Sequence, residues 1–295
     1  MVAQSGGPTV AINASLAGVI DGVMRSDMYD TVYGSLNGIT GILNNDLTNL
    51  SELMQQNSEY LDRLKVTPAM YLGSCRYKLP NYLDDDSSYV FIFKQFETYH
   101  IDAFFYIGGN DSMDTVLKLS EYGKKIGSPV RIVGIPKTID NDLCGTDHCP
   151  GFGSAAKYIG TTFAELERDC HVYATKAVTI VEVMGRDAGW LTAASCLARA
   201  NGAKGPDFIY LCEVPFSIDT FLKDVKAKLE EQDAVIIAVS EGVKNKDGRY
   251  ISEEVQSSAV DSFGHSYIAG AAKVLEDAVR NEIGCKVRSI ELNLM

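Results

Sequence analysis

The sequence has no apolar run approaching the roughly 20 residues of a membrane-spanning helix, so no span is expected. Its first residues, Met1-Val2-Ala3-Gln4-Ser5-Gly6-Gly7, carry neither the basic nor the apolar region of a signal peptide. Positive charge is in short supply: 27 Lys and Arg stand against 39 Asp and Glu, for a net charge of -12. That balance argues against nucleic acid and anionic membranes as partners. It also means that phosphate substrates would need a local cluster of Lys and Arg to offset the global field. The seven cysteines are odd in number and lack the spacing of a disulfide framework. Cys144 and Cys149 are the closest pair, but no His/Cys partners with zinc spacing accompany them. This usage suits a reducing, cytoplasmic compartment. Repeats, low-complexity tracts and disordered linkers are also lacking.

What the chain does have is alternation. At 295 residues, with 46% hydrophobic and 22% charged residues, it can bury one large or two medium cores. Apolar strand-like runs occur at 31–33, 103–107, 130–135, 177–183, 208–211 and 234–239. Helical patterns fall at 11–24, 87–99, 113–125, 154–167, 191–199, 220–230 and 266–281. Strands and helices in turn predict an α/β protein with largely parallel sheets covered by helices. The Gly- and Pro-bearing stretch 143–153 suggests a boundary, giving domains of about 1–150 and 151–295. The chain opens just before a glycine loop and closes on an apolar strand-like run, 287–295, as expected of a piece of a longer protein.

Five loops carry the candidate chemistry. Ser5-Gly6-Gly7-Pro8-Thr9 precedes a helix, where glycine amides and the helix N-terminus attract an oxyanion; a plain tight turn explains it equally well. Leu72-Gly73-Ser74-Cys75-Arg76 offers a guanidinium, either for a phosphate or simply for the surface. Gly108-Gly109-Asn110-Asp111-Ser112 follows a strand, at the carboxyl end where open α/β sheets bind ligands; it also reads as a helix cap. Met184-Gly185-Arg186-Asp187 sits at another strand-to-helix junction, where Arg186 either stabilises transferring charge or pairs with Asp187. The fifth loop, Pro136-Lys137-Thr138-Ile139-Asp140-Asn141-Asp142, holds more acidic, amide and cationic groups than a turn requires. Asp140 there is the candidate base, because phosphoryl transfer to an alcohol needs a carboxylate to take its proton. His100 and His171 lie outside these loops and read as structural; for His148 and His265 the structural and functional readings are closer, although a lone histidine is usually structural.

In order and over nearly the full length, these loops resemble the phosphofructokinase family. The resemblance rests on Gly6-Gly7, Leu72–Arg76, Gly108–Ser112, Lys137–Asp142, Met184–Arg186, Ser240-Glu241-Gly242 and Arg288. It implies two Rossmann-like three-layer domains with the active site in the cleft between them. It also implies transfer of a phosphoryl group to the 1-hydroxyl of fructose 6-phosphate, a glycolytic step. By position, Asp140 resembles the base and Arg186 the transition-state arginine. Thr138, Asp142, Met184, Gly185 and Glu241 resemble sugar-side positions. Arg288 matches an arginine that reaches the sugar phosphate of a neighbouring subunit, implying a homo-oligomer of at least two chains. Gly7, Arg76, Asp111 and Ser112 match donor positions. Asn110, where relatives commonly have an aspartate, and Asp111 are the candidate Mg²⁺ ligands.

The donor turns on two substitutions within this resemblance. ATP users typically carry Gly-Gly-Asp-Gly-Ser and Pro-Gly-Thr-Ile-Asp, whereas this chain has Asp111 and Lys137 in place of the glycines. A carboxylate at 111 repels a nucleotide's α-phosphate, and a lysine at 137 suits the terminal phosphate of pyrophosphate. Pyrophosphate is therefore the expected donor, in a reaction running both ways. The rival readings are an ATP-dependent 6-phosphofructokinase and a non-catalytic sugar-phosphate-binding paralogue.

Overall fold

The computed structural model describes residues 1–57, 59–172, 174–254 and 270–292. The chain forms two compact units, Met1–Thr138 and Ile139–Met295. The change of unit therefore falls inside the 136–142 loop, upstream of the position near 150 expected from the sequence.

In the first unit the order is β1 (Val2–Gln4), α1 (Ile12–Met24), β2 (Tyr33–Ser35), α2 (Ile39–Asn44), β3 (Leu47–Asn49), α3 (Leu50–Gln56), α4 (Tyr60–Val66), α5 (Ser87–Thr98), β4 (Ala103–Gly108), α6 (Asn110–Lys125) and β5 (Arg131–Pro136). The sheet runs β3-β2-β1-β4-β5. All neighbours are parallel except β2 and β3. The continuous apolar run of β4 has a simple cause. Phe104 and Tyr106 pack with Phe96, Leu119 and Tyr122. The alternating residues Phe105 and Ile107 pack with Ile12, Leu16 and Ile20 on the other face. A strand buried on both faces cannot alternate with polar residues.

The second unit comprises α7 (Phe152–Cys170), β6 (Ala177–Val183), α8 (Trp190–Ala194), β7 (Phe208–Tyr210), α9 (Ile218–Glu231), β8 (Ala234–Ser240), α10 (Ala271–Glu282) and β9 (Lys286–Leu292). Its sheet is parallel throughout, in the order β7-β8-β6-β9. It is sandwiched in the same way: Val178, Ile180 and Val235 face Phe221 and Leu275, while Val181, Val183 and Ile236 face Ile159 and Leu191. Both units are thus three-layer α/β structures, as the alternation predicts.

The differences are local. The short strand β3 and helices α2 to α4 carry too little periodicity to stand out in the sequence. Helix α6 begins at Asn110 rather than 113, which places Asn110 and Asp111 in its first turn. The helix expected at 191–199 stops at Ala194 and tightens into a 3-10 turn, Ser195–Asn201. The Ser195 hydroxyl, buried there, donates to the Thr192 carbonyl and so draws the turn in. Residues 266–269 of the last expected helix, residues 293–295 of the last strand, and His265 lie outside the described residues. No helix among the described residues is long and apolar enough to cross a membrane.

Candidate active site

The first sheet reverses its strand order between β1 and β4, and the carboxyl ends of those strands make a switch-point crevice. The Ser5–Gly7 and Gly109–Ser112 loops leave from there. Ser5 N–H donates to the Ile107 carbonyl at 2.9 Å, holding the two strand ends together. The Leu72–Arg76 segment is tied to the same place by side chains. Ser74 Oγ donates to the Gly6 carbonyl at 2.8 Å and Ser5 Oγ to the Cys75 carbonyl at 3.2 Å. Beneath them lie two fully buried amides, Gln4 and Asn13. Gln4 Oε1 accepts from Leu72 N–H, Asn13 Oδ1 accepts from Tyr71 N–H, and Gln4 Nε2 donates to Asn13 Oδ1. Neither amide stands out in the sequence, because a lone Gln or Asn among apolar residues has no distinguishing pattern. Their placement explains how a segment nearly 70 residues away joins the glycine loop. Arg76 and Gly7 are exposed at this edge.

Lys137 is the centre of this crevice. Its backbone N–H donates to the Gly108 carbonyl at 3.0 Å, extending the β4–β5 pairing by one residue. Its side chain is only 9% exposed. A Cβ placed at Gly6 or Gly7 would lie 3.8 Å from Lys137 Nζ, and one at Gly109 would lie 4.0 Å from it. The ammonium therefore sits among three glycine backbones, where amides and cation together favour an anion.

At Gly108–Ser112 the helix-cap reading does not hold. The N-cap is Gly109, with no side-chain cap bond. Asn110 and Asp111 are exposed in the first turn, while Ser112 is buried with its hydroxyl against Gly108. The Asp111 charge is favourable near the helix N-terminus. Among the described residues no three His, Cys, Asp or Glu form a metal cage.

The 136–142 loop passes into the second unit at Ile139, which packs in that unit's core. Thr138 and Asp140 are half-buried and Asp142 exposed. Between them Asn141 is buried in the left-handed region, at φ 59°. Its Oδ1 accepts from Cys149 N–H at 2.8 Å and its Nδ2 donates to the Asp147 carbonyl at 3.2 Å. Asn141 thus pins the segment that follows Asp140. Replacing Asn141 by alanine loses both bonds and leaves a β-carbon in a disfavoured conformation. The expected destabilisation is about 1–3 kcal/mol, read from urea unfolding.

In the second unit Met184, Gly185 and Arg186 follow β6, and Glu241 and Gly242 follow β8, its parallel neighbour. Glu241 Oε1 accepts from Gly185 N–H at 2.9 Å, and Ser240 Oγ donates to the Gly185 carbonyl at 2.8 Å. Gly185 has φ 123°, a conformation that favours glycine. At Gly242 any side chain would collide with the Arg186 carbonyl. Burial pushes the Glu241 carboxyl up from its ordinary range, against the Gly185 amide and the Arg186 charge. Asp187 forms an ion pair with Lys244 at 2.9 Å. Arg288 lies on β9 opposite Thr179 of β6, and its guanidinium donates to Thr179 Oγ1 and to Asp169.

Other features lie apart. His171 bonds back to the Glu167 carbonyl and His148 packs edge-on against Phe152. A cavity of about 310 Å³, lined by Met1, Tyr29, Tyr33, Tyr99 and Asp102 among others, opens at the amino-terminal edge of the first sheet. The glycine loops leave from the opposite, carboxyl edge. Glu182, a buried strand carboxylate whose role is invisible in the sequence, accepts from the Gly270 and Ala272 amides at the start of α10.

The family model described as Phosphofructokinase matches residues 1–291. The pyrophosphate–fructose 6-phosphate 1-phosphotransferase of Methylococcus capsulatus is 40% identical over 287 residues, covering 96% of this chain and 67% of that protein. The protein of the same name from Xanthomonas campestris is 40% identical over 289 residues, covering 97% of this chain and 68% of its own. Among solved structures, a pyrophosphate-dependent phosphofructokinase from Nitrosospira multiformis superposes with a TM-score of 0.82 at 35% identity, covering 99% of this chain and 68% of that one.

Proposed function

Because the chain belongs to the phosphofructokinase family, we propose that it moves a phosphoryl group from inorganic pyrophosphate to the 1-hydroxyl of fructose 6-phosphate, giving fructose 1,6-bisphosphate and phosphate. The observation that carries the donor choice is the Lys137 ammonium set among the backbones of Gly6, Gly7 and Gly109. A buried cation on an amide-rich crevice matches a compact, highly charged donor with no nucleoside to accommodate.

In this reading Asp140 accepts the proton of the sugar 1-hydroxyl. The oxygen forms its bond to the terminal phosphorus of pyrophosphate, and the bridging P–O bond breaks with its electron pair leaving on phosphate. Arg186 and Lys137 stabilise the negative charge on the transferring group. Gly7, Arg76, Asp111 and Ser112 hold or select the donor. Thr138, Asp142, Met184, Gly185 and Glu241 hold the sugar. Arg288 serves the sugar phosphate of a second copy, so the active form is at least a dimer. The unit ending at Thr138 then forms the donor side, and the unit from Ile139 the sugar side.

The exposed Asn110 amide and Asp111 carboxylate fit Mg²⁺, which takes few protein oxygens and completes its shell with water and phosphates. Held there, the ion would neutralise charge on the phosphates.

The test is a donor screen on the whole protein with Mg²⁺, in both directions. Turnover is expected with pyrophosphate forward and with phosphate plus fructose 1,6-bisphosphate in reverse. Activity with ATP and none with pyrophosphate would overturn the donor. No turnover with either, in an oligomeric preparation, favours a non-catalytic sugar-phosphate binder.

A further inference from the structure

The loop that carries Arg186 is braced from several directions. Glu241 and Ser240 hold its start at Gly185. Lys244 holds Asp187 in its middle. At its far end, the buried Gly189 N–H donates to Glu213 Oε1 at 2.7 Å, from a turn 24 residues further along the chain. Gly189 is the residue before α8, so this amide has no partner within that helix. A Cβ at Gly189 would run into the Glu213 carboxylate, so the two groups are closely fitted. The Cys212 thiol donates to the other oxygen, Glu213 Oε2, at 3.3 Å. Burial alone would raise the Glu213 carboxyl, but these amide and thiol bonds hold it below its ordinary range, charged at neutral pH.

We propose that Glu213 is a positioning residue for the reaction, fixing the Gly185–Gly189 loop so that Arg186 stands ready at the transferring phosphoryl group. The proposal rests on the phosphotransferase reading above. The physical argument is one of geometry. The Asp187–Lys244 pair is exposed, and such pairs hold weakly. The Gly189–Glu213 bond is charge-assisted and short, and although Glu213 is exposed, its bond ends on a buried amide. Losing it frees the end of the loop, and a transition-state contact tolerates displacement poorly.

Trp190, the chain's one tryptophan and 56% exposed, directly follows Gly189 and gives a native reporter of the loop. In the whole protein, Glu213→Ala is expected to lower kcat about tenfold while leaving KM for pyrophosphate within about twofold. Hydrogen exchange across 184–194 should quicken and Trp190 anisotropy should fall. Glu213→Gln, whose amide oxygen accepts the same bond, should restore kcat to within about twofold of the parent. Glu213→Asp, one methylene too short, should behave like Ala and replaces it if Ala does not fold. Unchanged exchange in the Ala or Asp variant overturns the proposal. So does faster exchange with unchanged kcat, or a Gln variant as impaired as Ala. If the parent turns over neither direction with pyrophosphate, the functional reading fails, while exchange and Trp190 still report whether Glu213 braces the loop.

Discussion

Asp140→Asn is expected to cut kcat for phosphoryl transfer by about 10²–10⁴-fold, the usual contribution of a general base. The change is isosteric, and Asp140 is half-buried beside Asn141, whose side chain pins the following turn to Cys149 and Asp147. The loop should therefore keep its shape while proton acceptance is lost. Three measurements separate this from a structural effect: kcat, KM for pyrophosphate and the melting temperature. The KM should stay within about threefold and the melting temperature close to the parent's, because the side chain keeps its size and shape and loses only its charge. A kcat within tenfold of the parent would remove Asp140 from the role of base.

The second large effect concerns the donor. Lys137→Gly is expected to lower kcat/KM for pyrophosphate by about 10²–10³-fold, as for loss of one preorganised group at developing charge. Lys137 is 9% exposed and lies against the Gly6, Gly7 and Gly109 backbones, so water replaces its ammonium poorly. Asp111→Gly removes a carboxylate from the first turn of α6, where it faces solvent. The double variant should lose pyrophosphate preference and gain ATP turnover, measured as the ratio of the two kcat/KM values. An unchanged ratio would show that these residues do not select the donor.

Much of this was legible in the sequence for identifiable reasons. Strands β4, β6 and β8 are buried on both faces, so their apolar runs stand out and their boundaries fall within a residue of expectation. The loops after them are legible because glycine and clustered charge mark strand-to-helix junctions. The start of α6 was misplaced because Asn110 and Asp111 resemble caps, whereas Gly109 occupies the cap position. The short elements between residues 39 and 66 were missed because six- or seven-residue helices complete too few turns to show a period.

By itself, then, the sequence determined the alternating α/β plan, the positions of the candidate loops and the charges they carry. Those depend on local periodicity and on residue type. Only the tertiary structure decided which loops meet and what holds them. Gln4 and Asn13 draw the Leu72 segment to the glycine loop, Lys244 pairs with Asp187, and Glu213 closes the end of the Arg186 loop. Each is a hydrogen bond or ion pair between residues far apart in the chain. Such a bond requires only one suitable atom at each end, and so leaves no periodic trace in the order of the amino acids.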